Sequence, residues 1–247
     1  VTPPHAVARL RAACLASDEA RPRLDRGEPR TPRCAGCRLA PAHCVCSLRP
    51  VVPTRAGICL LMAPYEPLKP SNTGWLVADV VPETHAFAWS RTAPDPALLA
   101  LLDDPRWQPF VVFPGEFAPA ARVVADMTAA AASTRRPLLV LLDGTWAEAR
   151  KAFRKSPYLD RFPVLSLAPE QARRYRLRRS AHAHHFCTAE VAALALGLVG
   201  EARAASTLTA WLDVFSDRYL RARQSVPADA GDELHLRLQA LGDGAAA

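Results

Sequence analysis

Two groups of residues in this chain have the types and spacing to do chemistry. The first is Cys34, Cys37, Cys44 and Cys46: four of the seven cysteines, arranged as C-x2-C-x6-C-x-C. A C-x2-C knuckle turns two thiolates toward one ion, and a second pair completes a tetrahedron. That set suits structural zinc in a module with too little core of its own. Disulfides and a redox C-x-x-C compete with this reading, but the motif has neither a secretory leader nor a thioredoxin-like pattern beside it. His43 could replace one thiolate, although four cysteines suffice. Cys14, Cys59 and Cys187 are spaced too widely to join and are expected to be buried as small apolar residues. The second group surrounds Asp143, in Leu138-Leu-Val-Leu-Leu142-Asp143-Gly144-Thr145-Trp146. Ligands of open α/β sheets bind at strand carboxyl ends, so an acid placed there is a candidate for proton chemistry. The plainer reading is a turn-forming Asp-Gly pair.

The elements that must hold these residues follow from periodicity. Leu138 to Leu142 is an unbroken apolar run, the mark of a strand buried on both faces in a parallel sheet. Thr145 and Glu148 have capping-box spacing and predict a helix from Trp146 to Lys155, leaving Asp143 without an evident structural duty. Further strands are expected at Ala56–Ala63, His85–Trp89, Pro109–Phe113 and Pro163–Leu167. Helices are expected at 6–15, Asp95–Leu102, Ala118–Ala132, Thr188–Val199 (capped by Thr188), Ser206–Arg223 and within 226–241. Asn72, the single asparagine, lies in Ser71-Asn72-Thr73-Gly74, a second expected helix start that would aim backbone N–H groups at an anion.

At 247 residues, half of them apolar, the chain can bury a substantial core. No apolar run reaches membrane-span length, and the first residues do not read as a signal peptide, so the expected location is the cytoplasm. The net charge of +7 suggests a polyanionic partner. Arginine supplies nearly all of it, since Lys69, Lys151 and Lys155 are the only lysines. Two concentrations stand out: Arg150, Lys151, Arg154 and Lys155 at the end of the helix after Asp143, and Arg173 to Arg179 around Tyr175. Cations suit a helix C-terminus in any case. Arginines around a tyrosine suit phosphate contact with base stacking. Four parts are expected: a flexible basic arm over 1–33, the zinc knuckle over 34–50, a catalytic domain over 51–225, and a partly disordered tail over 226–247.

Taken together, these motifs resemble the DTW-domain family, the tRNA-uridine aminocarboxypropyltransferases. The signature Asp-x-Thr-Trp stands here as Asp143-Gly144-Thr145-Trp146. The Cys34–Cys46 knuckle, Ser71-Asn72-Thr73-Gly74, Phe113-Pro114-Gly115-Glu116 and Tyr175-Arg176-Leu177-Arg178 match in order. A sixth stretch, Cys187-Thr188-Ala189-Glu190, has Cys where the family has Ser. The resemblance implies a mostly parallel α/β sheet flanked by helices, SPOUT-like, with a C-terminal trefoil knot around S-adenosylmethionine. It also implies transfer of the 3-amino-3-carboxypropyl group of S-adenosylmethionine to N3 of a tRNA uridine, releasing methylthioadenosine. By analogy with knotted methyltransferases, Phe113 to Glu116, Gly144, Thr145, Trp146, Leu177, Cys187 and Thr188 would build the cofactor pocket. Asn72 and Thr73 would hold the amino-acid end of the cofactor or the uridine. Arg150, Arg154, Tyr175, Arg176 and Arg178 would meet tRNA, with Arg176 or Arg178 alternatively on the cofactor carboxylate. Asp143 would be the general base or would orient the uracil. The alternatives are a zinc-containing RNA-binding module without catalysis and a SPOUT-type RNA methyltransferase; a monomer is the favoured state.

Overall fold

The computed structural model describes residues 4–17, 32–124, 127, 133–167, 186–229 and 231–243. Its centre is β5 (Arg136–Asp143), whose apolar run pairs in parallel with β1 (Gly57–Met62) on one side and β3 (Trp107–Val112) on the other. Short strands β2 (Thr84–Ala88), β4 (Val123–Val124) and β6 (Val164–Leu165) complete a six-stranded sheet in the order β2-β1-β5-β3-β6-β4. Every pairing is parallel, as continuous apolar strands require, because both faces must then be covered.

The covering comes as two layers. Ile58, Leu60, Met62, Leu139 and Leu141 face α2 (Gly74–Val80), α5 (Thr188–Leu198) and α6 (Ala202–Arg223), which supply Leu76, Leu196, Leu208, Trp211 and Phe215. Cys59, Leu61, Leu138 and Val140 face α3 (Pro96–Asp103) and α4 (Trp146–Arg154), with Leu98, Leu102 and Phe153. Strand alternation thus assigns Asp143, in phase with Leu139 and Leu141, to the first layer.

The strands' amino ends are tied by arginines. Arg136 Nε donates to the Arg55 carbonyl at 2.7 Å, Arg55 to the Arg135 carbonyl at 2.9 Å, and Arg135 Nε to the Pro105 carbonyl at 3.1 Å. Arg136 also pairs with Glu83 at 2.9 Å, so four strands are held where they begin. Part of the positive charge therefore serves the sheet itself.

Several expectations change here. Residues 118–124 do not begin the helix expected over Ala118–Ala132. Ala120–Arg122 is a single 3-10 turn, and Val123–Val124 joins the sheet beside β6. Arg122 fastens that turn to the carbonyls of Phe162 (3.0 Å) and Leu159 (2.8 Å), and two β-branched residues at an edge outweigh alanine propensity. Within the stretch expected as a flexible arm, α1 (Ala6–Ala16) is docked: Val7 is fully buried and His5 meets Trp75 edge-on, with ring centroids 4.5 Å apart. In the expected tail, α7 (Glu233–Asp243) packs on α6 through buried Leu238 and a 2.9 Å hydrogen bond between Arg218 and His235. The Tyr175–Arg178 run, including Leu177, lies outside the described residues, as does the chain path on which the expected knot depends.

Candidate active site

The strand, turn and helix around Asp143 form as their residues dictate. Thr145 Oγ1 accepts from the Glu148 N–H at 3.4 Å and Glu148 Oε2 accepts from the Thr145 N–H at 2.8 Å, closing the capping box of α4. Gly144 leaves no space for a side chain, because a Cβ there would come within 3.1 Å of both Ala63 and Glu148.

Asp143 is not free of structural duty. The residue is 4% exposed, and each of its carboxylate oxygens accepts one hydrogen bond. Oδ2 accepts from Asn72 Nδ2 at 2.8 Å, and Oδ1 accepts from the Thr188 hydroxyl at 2.5 Å. A Cβ on Gly74 would lie 2.4 Å from Oδ2, so only glycine lets α2 come this close. The Asp143 carboxylate thus lies against the start of α2, held there by the Asn72 side chain. Asn72 Oδ1 accepts from the Trp75 N–H at 3.0 Å, capping α2, and Thr73 Oγ1 accepts from the Ala189 N–H at 3.3 Å in the first turn of α5. Burial drives the Asp143 carboxyl up from its ordinary 3.8 to about 6. The bonds from Asn72 and Thr188 and nearby Lys69 oppose that rise, while Glu66 adds to it. Glu66 is itself buried; it pairs with Lys69 and accepts from Asn72 Nδ2 at 3.2 Å.

Thr188 does not cap α5 as expected. Cys187 occupies the cap position, and Glu190 Oε2 accepts from its N–H at 2.7 Å. The threonine hydroxyl is thereby left to reach Asp143. Burial pushes the Cys187 thiol up to about 12, so it is a protonated, inert group.

On the opposite face of the same sheet end, Phe113 stacks on Phe153 (4.4 Å) and on Trp146 (5.5 Å), with Phe117 edge-on to both Phe113 and Trp146. Trp146 is 40% exposed, and the Arg150 guanidinium lies 4.9 Å from the Phe117 ring. Arg154 and Glu116 are exposed, and the Gly115 N–H donates to Ser166 Oγ at 3.0 Å. A small cavity of about 10 Å³, the size of one water molecule, lies between Leu61, Ala63, Trp89, Leu142, Asp143, Glu148, Ala149 and Ala152.

The four cysteines meet as expected. Their Sγ atoms all lie within 4.8 Å of one another, with Cys34–Cys46 at 3.5 Å, Cys44–Cys34 at 3.6 Å and Cys37–Cys44 at 3.7 Å. Zinc–sulfur bonds of about 2.3 Å set tetrahedral edges at about 3.8 Å, so the cluster fits structural zinc. Burial tends to raise the Cys34 thiol, but N–H groups of Cys37 and Gly36 and the neighbouring thiols bring it down to about 7. Gly36 is required, since a Cβ would sit 2.7 Å from Cys46 Sγ.

Sequence reasoning missed Arg38, directly after the second cysteine. It is 2% exposed, with φ of 66°, and its guanidinium donates to the carbonyls of Lys69 at 3.0 Å and Asn72 at 3.1 Å. It also lies 4.3 Å over the Trp75 ring. Position beside a knuckle cysteine was the one signal available.

The fold and site define an all-parallel α/β protein with a polar cluster at the carboxyl end of its central strand and a four-cysteine metal site at its flank. A family model, the DTW domain, matches residues 31–220, and the chain belongs to that family. No solved structure matches it. Family membership is consistent with a tRNA-modifying function. No helix among the described residues is long and apolar enough to cross a membrane.

Proposed function

We propose that this protein moves the 3-amino-3-carboxypropyl group of S-adenosylmethionine to N3 of a tRNA uridine, leaving methylthioadenosine. One observation carries the reading: three separated family stretches, at 71–74, 143–146 and 187–190, converge on a single carboxylate at the carboxyl end of the central strand. When bound, S-adenosylmethionine supplies a carbon already activated by its sulfonium. The chain's tasks are then to orient the pyrimidine and to manage the N3 proton.

Asp143 is the residue for that proton. Each carboxylate oxygen accepts one bond from Asn72 or Thr188 and keeps a second lone pair. Its raised pKa brings it nearer the weakly acidic uracil N–H than an ordinary aspartate would be. Asn72 and Thr188 fix its rotamer, and Thr73 fixes α5 against α2. Trp89 and Glu148 line a small cavity beside Asp143. Phe113, Trp146 and the exposed Arg150 and Arg154 form the face that tRNA and donor approach.

Incubating the metal-loaded protein with unmodified tRNA and S-adenosylmethionine, followed by nucleoside mass analysis, tests this. A gain of the aminocarboxypropyl group on uridine is the expected result. A gain of methyl overturns the choice of transferred group. No gain, with salt-sensitive tRNA binding and no binding of S-adenosylmethionine by calorimetry, overturns catalysis.

A further inference from the structure

We infer that Arg38 is a positioning residue through which the four-cysteine knuckle sets the hydrogen bond between Asn72 and Asp143. The knuckle fixes Arg38 first. Its N–H donates to the Cys34 carbonyl at 2.7 Å, closing the turn, and the left-handed backbone turns the side chain inward. There the planar guanidinium forks onto two carbonyls of one loop, those of Lys69 and Asn72, while stacking on Trp75. A second tie runs beside it. Trp75 Nε1 donates to the Gly36 carbonyl inside the knuckle at 3.1 Å, and the Trp75 N–H donates to Asn72 Oδ1.

Asn72 is thus gripped from the knuckle at its backbone carbonyl and, through Trp75, at its side-chain oxygen. What remains is its amide nitrogen, which donates to Asp143 at 2.8 Å and more weakly to Glu66 at 3.2 Å. Arg11 from α1 holds the front of the same loop by the carbonyls of Pro67 (3.1 Å) and Leu68 (2.7 Å), but not the part that carries Asn72. A metal ion would tie the two cysteine pairs to each other, so its loss removes the cross-link that stiffens the turn aiming Arg38. The importance of the strut for transfer rests on the proposed role of Asp143; the strut itself does not.

Asn72 is the only asparagine in the chain, so full-length protein made with isotope-labelled asparagine shows one side-chain amide by nuclear magnetic resonance. Metal removal by a chelator is expected to shift that amide and speed its hydrogen exchange roughly tenfold, the scale of one lost bond to a charged group. Arg38→Lys, with metal still bound in one equivalent, keeps the charge but cannot fork, and is expected to do the same. Trp75→Phe, which removes the bond to Gly36 and keeps a smaller ring under Arg38, is expected to shift the amide less. If the metal-free chain unfolds, the two metal-loaded variants decide. An Asn72 amide unmoved in both overturns the proposal. The readout needs neither tRNA nor donor, so an inactive protein can pass it and an active transferase can fail it.

Discussion

The carboxyl end of the sheet carries two clusters built from family stretches, and they differ in kind. On the α2 and α5 side, Asp143, Asn72, Thr73 and Thr188 are enclosed and mutually bonded, with glycine at position 74 to let the backbone close in. On the α4 side, Phe113, Phe117 and Trp146 stack in part at the surface beside Arg150. One region is fixed by hydrogen bonds from three elements; the other is a set of rings and long cations that can adapt. Under the proposed function, proton handling falls to the first and substrate contact to the second.

The widest separation between them should come from Asp143→Asn. It preserves shape but removes the carboxylate that would take the proton, and is expected to lower transfer roughly 10²–10⁴-fold, read by nucleoside mass analysis. Activity near wild type would reduce the polar cluster to a fold-holding role. Gly74→Ala tests the fit of the same cluster. With 2.4 Å available to the new Cβ, it is expected to cost about 1–3 kcal/mol in denaturant unfolding, with a matching loss of activity.

The raised Asp143 pKa gives a smaller and signed effect. Its protonated form is the one the folded chain favours, so the stabilising contribution is complete below about 4 and is lost as pH rises through about 6. Wild-type Tm should fall relative to Asp143→Asn across that window, while kcat/KM rises as the carboxylate ionises. The smallest stability change is expected at the aromatic face. Trp146→Ala should cost no more than about 1 kcal/mol yet raise KM with little change in kcat, the signature of lost substrate contact. A fall in kcat alone would erase the distinction between the clusters.

What could be read from the sequence was local. The apolar run to Leu142, the Asp-Gly turn and the Thr145–Glu148 box predict strand, turn and helix because each signal lies within a few residues of its effect. The cysteine spacing predicts its cluster for the same reason. The duty of Asp143 was hidden because its partners come from positions 72 and 188, and no spacing rule links those to 143. Thr188 was misassigned as a cap because hydroxyl residues lead at cap positions, whereas Cys187 stands three residues before Glu190 and takes the box. The alanines after Ala118 carry a helix preference that sheet pairing of Val123 and Val124 overrode.

The arginine clasp across the strand amino ends has a practical corollary. Because all strands run one way, that pole and the reacting pole lie at opposite ends of the molecule. Thr134, exposed beside the clasp, is consequently a place to tether the protein to a bead or sensor chip so that the Asp143 end faces bulk solution, open to a macromolecule as bulky as the proposed tRNA substrate.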